Sequence, residues 1–271
     1  MPVARRYELG MKKLLPPIPE VLYKYRDFEK GMKILSERTI FFSHPEIFND
    51  LFDCDIPVRF DLLTDDEFDE LSIMLLMKLS GMTQSEARPH YYKHVKGNPK
   101  FRQASDRDAM VKWQLDNLKD NVRVFCMAKE QDDILMWAHY SDSHRGLCIG
   151  LNREHLYYNT GASFVKIEYH KFYPELKPSA KDENYYIAQV CSKADNWNYE
   201  KEFRLVHFGK TQVFDIDPKA IESVVVGCAA KPETIAVVQA LLKSDQQLNH
   251  VKLYKAEKVA HSFALTVVPV S

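Results

Sequence analysis

The hydrophobic pattern of this chain switches period twice, and that limits the folds open to it. Short β-rich runs occupy the first part, helical spacing takes over from Thr64 to about Asn121, and β-rich runs return afterwards. Val21-Leu22-Tyr23-Lys24-Tyr25 reads as a strand and Phe28 to Leu35 as a helix. Thr39-Ile40-Phe41-Phe42-Ser43 reads as a second strand, ended by His44-Pro45, and Phe48 to Asp53 as a turn with apolar anchors. In the middle block, Thr64-x-x-Glu67 and Thr83-x-x-Glu86 are capping-box patterns, and Gly81 is placed to stop the first helix. Ser105 to Leu118 offers a third helix with Met110 and Trp113 turned inward. Strands are expected at Val122 to Met127, Leu147 to Leu151, Phe164 to Tyr169, Glu202 to Phe208, Gln212 to Ile216, Ser223 to Val226 and Val251 to Lys255. Helices interrupt them from about Asp182 to Ala194 and from Lys231-Pro232 to near Ser244. Strands on both sides of a helical block, without a regular βαβ rhythm, predict an α+β fold with a mixed, mostly antiparallel sheet and a helical insert at about 64–121. No Pro/Gly/Ser-rich linker divides residues 1–271, so a single domain is expected.

Charge and motif content narrow the chemistry. Lys plus Arg (37) nearly cancels Asp plus Glu (38), so no global basic field attracts nucleic acid, and only a local patch at Lys93, His94, Lys96 and Lys100 could meet an acidic partner. The apolar run Leu71 to Leu79 is broken by Ser72 and Lys78 and falls short of the ~20 residues a bilayer span needs. No apolar stretch follows Arg5-Arg6 at the N-terminus, so a cytoplasmic protein without membrane contact is expected. Cys54, Cys126, Cys148, Cys191 and Cys228 are widely spaced, in apolar contexts that suit buried reduced thiols. Nine glycines form neither of the phosphate-cradling fingerprints, and no nucleophile elbow is present. His139 and His144 are five residues apart, not the four of a zinc-binding helix, so no metal is expected.

Three polar concentrations remain. The first is Trp137-Ala138-His139-Tyr140-Ser141-Asp142-Ser143-His144-Arg145-Gly146, set between a short helix capped at Asp132-Asp133 and the apolar strand from Leu147. The second is Asn196 to Arg204, where strand alternation would place Glu200, Glu202 and Arg204 on one face and Tyr199, Lys201 and Phe203 on the other. The third is Tyr23-Lys24-Tyr25-Arg26, whose two cations suit phosphate. Each has a plain structural reading as core aromatics, a solvated ion-pair ladder or surface charge, yet their concurrence on separate elements favours a shared cleft.

Leu22-Tyr23-Lys24-Tyr25-Arg26, the run Phe42-Ser43-x-Pro45-x-x-Phe48-Asn49-Asp50-x-Phe52-Asp53, Phe125-Cys126, Ile134 to Gly146 and Tyr199 to Arg204 together resemble bacterial proteins grouped as domain of unknown function 2971, over roughly residues 20 to 230. The order Leu22-Tyr23-Lys24, Ile34-Leu35, Phe41-Phe42-Ser43 and Glu200-Lys201-Glu202 is more distantly similar to the ADP-ribosyltransferase-like fold, with Lys24 where that fold has His or Arg. That second resemblance implies NAD as substrate, Glu202 as the carboxylate holding the nicotinamide ribose, Glu200 as its understudy, and Ser43 as the group orienting Glu202. It further implies that Lys24, Tyr25, Arg26, Asn49, Asp50, Trp137, His139, Tyr140 and Arg204 line the cofactor cleft. The rival expectation is a non-catalytic regulatory module, in bacterial defence or toxin control, that grips a nucleotide, nucleic acid or protein.

Overall fold

The computed structural model describes residues 18–96, 104–179 and 184–270, arranged as two compact units. The first comprises the chain up to His44, Val122–Ile167 and Asp195 onward; the second comprises Pro45–Asn121 and Glu168–Ala194. The N-terminal basic residues and Lys100 lie outside the described residues, as do the side chains of Met110 and Trp113. No helix among the described residues is long and apolar enough to cross a membrane.

The first unit is built on strands β1 (Val21–Arg26), β2 (Thr39–Phe41), β3 (Val122–Ala128), β4 (Leu147–Asn152), β5 (Ser163–Lys166), β8 (Glu202–Phe208), β9 (Val213–Asp215), β10 (Ile221–Val226), β11 (Lys252–Lys258) and β12 (Leu265–Pro269). The second unit holds β6 (Glu168–His170) and β7 (Ser192–Ala194), which pair in parallel. Eight strands form one sheet in the order β12-β11-β10-β4-β1-β3-β8-β5, and β2 pairs separately with β9. Only β10 and β11 run parallel in the large sheet, joined by a helical crossover, α8 (Pro232–Ser244). The fold is therefore α+β with a mixed, mostly antiparallel sheet. Alternation sends Leu22, Phe125, Ile149, Leu205 and Val224 to one face, where α1 (Phe28–Glu37) and α8 add Ile34, Leu35, Val238 and Leu242. The opposite face carries Tyr25, Cys148, Val225 and Ala256 beneath Met136 and Trp137. Both layers bury apolar area, so β4 between them is apolar along nearly its whole length.

In the second unit both capping boxes form. Thr64 N–H donates to Glu67 Oε2 (2.9 Å) at the start of α2 (Asp65–Ser80), and Thr83 N–H donates to Glu86 Oε2 (2.9 Å) at the start of α3 (Gln84–His94). Gly81 ends α2 with φ 71°, a conformation costly for a residue bearing Cβ. A second core of Ile56, Val58, Phe60, Phe68 and Leu71 closes beneath α2 and α4 (Ala104–Asn121). Lys96 of the surface basic patch is paired with buried Asp69.

Several expectations change. The single strand over Phe164 to Tyr169 breaks at Ile167, whose N–H donates to the Glu202 carbonyl (3.1 Å), so β5 edges the large sheet and β6 joins the small one. The helix expected to run to Ala194 ends at Cys191 as α7 (Asn184–Cys191), and β7 follows directly. A short helix after β4, α6 (Arg153–Thr160), is capped by Asn152 accepting from Glu154 and His155 N–H, and β12 completes the sheet. In the Phe48 to Asp53 turn two of the three apolar residues face outward, Leu51 at 85% and Phe52 at 61% exposure, while Phe48 is half-buried. Of the five thiols, Cys54 and Cys148 are buried while Cys126, Cys191 and Cys228 are half-buried, all without a disulfide.

Candidate functional site

β1 is paired unequally on its two sides. Along β4 it keeps six register pairs, from Val21↔Asn152 to Arg26↔Leu147, whereas along β3 it keeps one, Tyr23↔Ala128. Further down β3 the partner changes: Ser43 N–H donates to the Val124 carbonyl (2.8 Å) and Val124 N–H to the Ser43 carbonyl (3.0 Å). Cys126 lies between these two contacts, and its carbonyl is taken by the Lys24 ammonium instead of a strand. A backbone acceptor inside a sheet must find a donor, and here a side chain supplies it because the neighbouring strand has moved away. The opening so created is the centre of the candidate site.

Its lining is charged. Lys24 is buried, its Nζ stands 4.5 Å from the centre of the Phe125 ring, and burial together with Arg26 draws its pKa down to about 7, against the pull of Cys126, Glu202 and Glu200. Arg26 is half-buried, and desolvation lowers its pKa as well, with Cys126 and Asp27 opposing. Its guanidinium makes no side-chain hydrogen bond or ion pair among the described residues. An Arg partly stripped of water, with Asp27 acting on it electrostatically but no carboxylate hydrogen-bonded to it, is suited to accept an anion.

The carboxylates behave differently from one another. Glu202 and Arg204 share a face of β8 and form a buried pair, with Arg204 Nε 2.7 Å from Glu202 Oε1 and Nη2 3.1 Å from Oε2. Both Glu202 oxygens are therefore engaged by one guanidinium. Glu200 does not continue that face, because residues 195–200 form a 3-10 turn and Lys201 takes φ 44°, which breaks the expected alternation. Glu200 is nevertheless buried, and the Tyr140 hydroxyl donates to its Oε1 (2.6 Å). This bond joins the segment around Trp137 to the one around Tyr199. Ser43 is fixed by its backbone bridge to Val124.

The Trp137 segment divides into two parts. In α5 (Ile134–Tyr140), started by Asp133 accepting from Leu135 and Met136 N–H, Trp137 is fully buried; its indole donates to the Gln131 carbonyl (2.9 Å) and packs edge-on to Tyr25 at 5.2 Å. Tyr25 is also buried, its hydroxyl donating to the Glu130 carbonyl (2.8 Å), and burial raises its pKa. Trp137 and Tyr25 are thus core supports, while His139 and Tyr140 reach the surface. Next, Asp142, Ser143 and His144 all take positive φ (49°, 51°, 66°), a left-handed turn rare without glycine. It is held by His144 N–H to the Trp137 carbonyl, Gly146 N–H to the Ser141 carbonyl and Ala229 N–H to the His144 carbonyl. A Cβ on Gly146 would lie 2.1 Å from the Arg26 carbonyl oxygen, so the glycine permits β1 and this turn to meet. The dense polar spelling of residues 141–146 therefore encodes a tight backbone junction.

Asn49 and Asp50 belong to the second unit. Asn49 is exposed; Asp50 is buried, with Oδ1 accepting from Phe52 N–H (3.0 Å) and Oδ2 without a hydrogen-bond partner among the described residues. The sequence named neither Trp197 nor Tyr199 as a site residue, although both fall in the polar stretch Asn196 to Arg204 and Tyr199 opens the motif Tyr199 to Arg204. Their rings stand 6.1 Å apart, and Tyr199 is 6.2 Å from His139. An aromatic at every second position, Trp197-x-Tyr199, was the signal available. No group of three or more His, Cys, Asp or Glu side chains among the described residues is placed to hold a metal ion.

Neither the curated proteins nor the solved structures contain a match to this chain. Residues 136–205, a narrower span than the motifs suggested, match the family described as Protein of unknown function (DUF2971), and this similarity covers Tyr140, Tyr199, Glu200, Glu202 and Arg204 while leaving Lys24, Arg26 and Ser43 outside it.

Proposed function

We propose that this chain binds a phosphate-bearing nucleotide, NAD foremost, in the opening between β1 and β3. The observation that carries the reading is the Arg26 guanidinium, partly desolvated and with no side-chain hydrogen bond or ion pair among the described residues, beside the buried Lys24. Two cations on one strand repel each other, and an anionic ligand would relieve both the repulsion and the missing solvation. A cytoplasmic, regulatory role is part of this proposal.

A second reading, ADP-ribosyl transfer from NAD, draws support from Glu200. A buried carboxylate positioned by the Tyr140 hydroxyl could stabilise positive charge developing on a ribose carbon. Glu202 suits that role less, because Arg204 engages both of its oxygens. Glu202→Gln would also disturb a buried ion pair, so Glu200→Gln is the cleaner catalytic test.

Calorimetric titration with NAD, ADP-ribose and ATP examines the binding. We expect saturable binding of at least one, weakened tenfold or more by Arg26→Ala. Absence of binding by all three, or binding indifferent to Arg26→Ala, would reject the proposal. Release of nicotinamide from NAD, abolished in Glu200→Gln while binding persists, would establish cleavage of the nicotinamide–ribose bond, and ADP-ribose recovered on an acceptor other than water would establish transfer over hydrolysis.

A further inference from the structure

The left-handed turn after α5 acts beyond its own residues. Gly227 N–H donates to the Gly146 carbonyl (3.0 Å) and Ala229 N–H to the His144 carbonyl (3.0 Å), so the segment that leaves β10 is laced to the turn. Leu147 then opens β4 opposite both Arg26 of β1 and Val226 of β10. Contact is close on both sides: a Cβ on Gly146 would lie 2.1 Å from the Arg26 carbonyl oxygen, and one on Gly227 would lie 2.1 Å from the His144 carbonyl oxygen. The turn is thus wedged between the ends of two strands, and one of them carries the guanidinium of the binding reading. Asp and His enter the left-handed region more readily than most residues, but Ser143, at φ 51°, has no such preference. Ser143 is exposed, and its side chain makes no hydrogen bond among the described residues. His144 Nδ1 is buried and likewise has no hydrogen-bond partner among them. A backbone held in this region without glycine costs free energy, and it persists where the surrounding structure imposes it.

We propose that Asp142, Ser143 and His144 are positioning residues for the anion site: their left-handed turn fixes the backbone of Arg26 and so sets where its guanidinium can reach. This rests on the binding reading above and adds to it the element that makes the site rigid. A ligand that meets an Arg rooted in a fixed backbone pays less to order it, and that saving appears as affinity. The device depends on the backbone conformation of the turn and not on the exposed Ser143 hydroxyl. Substitutions at Ser143 should therefore sort by their tolerance of positive φ. Asn and Gly enter the left-handed region easily and keep the turn seated against Arg26. A β-branched residue, for which positive φ is an outlier, draws the turn away from it.

The test titrates ADP-ribose into Ser143→Val, Ser143→Asn and Ser143→Gly by calorimetry and, without ligand, follows amide hydrogen exchange in the peptide that carries Arg26. Ser143→Val should weaken ADP-ribose binding about tenfold and speed exchange in that peptide. Ser143→Asn and Ser143→Gly should stay within about twofold of the parent chain in affinity, although neither keeps the hydroxyl. Should Ser143→Val not fold, Ser143→Thr, which is β-branched but retains the hydroxyl, should still weaken binding about threefold. A merely structural turn predicts otherwise: Ser143→Val would melt at a lower temperature with affinity and Arg26 exchange unchanged, and that result overturns the positioning role. Equal weakening by all three substitutions would also overturn it, since backbone preference would then be irrelevant. Binding that depends on Arg26 and is the same in every Ser143 variant removes the positioning role and leaves the binding reading standing. No binding of ADP-ribose by the parent chain overturns both, and faster Arg26 exchange in Ser143→Val would then mark the turn as a support of β1 alone.

Discussion

Strand β1 meets β4 on one flank and β3 on the other, and the two flanks are built on different principles. Toward β4 it runs in register for six pairs, its neighbours are apolar, and its end fits so closely that Gly146 has no room for a methyl group beside the Arg26 carbonyl. Toward β3 it holds one pair, and the next carbonyl is satisfied by a lysine side chain. Where the ladder continues, backbone groups satisfy one another and side chains only need to pack. Where it stops, polar side chains must finish the accounting, and these are the groups able to exchange a protein partner for a ligand.

The contrast can be tested most severely at the buried pair next to the open flank. Arg204→Met leaves the Glu202 carboxylate buried without its guanidinium and should cost about 3–5 kcal/mol in urea unfolding. A loss below about 1 kcal/mol would mean that water reaches this flank freely. Gly146→Ala tests the closed flank: it should cost about 3 kcal/mol through overpacking, and a near-neutral result would show that the turn can shift away from β1.

Acidity should separate the flanks through Lys24. Its pKa in the fold, about 7, lies below the ordinary 10.5, so the folded state favours the neutral amine. Between about pH 7 and 10.5 the unfolded chain holds more protons, and stability should rise with pH across that window; below about 7 both states are protonated and this contribution is flat. Ligand binding should run the other way, with ADP-ribose affinity increasing about tenfold from pH 8 to pH 6 as the ammonium charges. Lys24→Arg, which stays charged, should flatten that rise. The smallest effect on stability is expected for Arg26→Ala, about 1 kcal/mol or less because packing but no side-chain hydrogen bond or ion pair among the described residues is lost, while nucleotide binding weakens tenfold or more. A large stability loss would instead make Arg26 a structural residue of the closed flank.

Local signals were legible wherever they are self-contained. The two capping boxes need only residues three apart, and both formed at the expected threonines. β8 starts and ends where alternation placed it, from Glu202 to Phe208. The site was less legible. Strand alternation carried back through Lys201 put Glu200 beside Glu202, but the 3-10 turn and the positive φ at Lys201 intervene. The polar segment from Trp137 to Gly146 read as one functional unit, although Trp137 supports the core and residues 142–144 form a left-handed junction. Polar residues serve tight turns as often as ligands, and spacing in one segment does not separate those uses.

By itself the sequence determined most of the strands and helices, where α2 and α3 begin, and that the sheet would be mixed and mostly antiparallel, while α6, β7 and β12 were not read from it. These follow from side-chain periodicity and from hydrogen bonds between near neighbours in the chain. Tertiary structure alone decided that β3 exchanges β1 for Ser43, that Lys24 enters the gap, that the Tyr140 hydroxyl reaches Glu200, and that Tyr199 stands beside His139. Each of these joins residues distant in sequence or on different elements, and its geometry is fixed only when the elements dock.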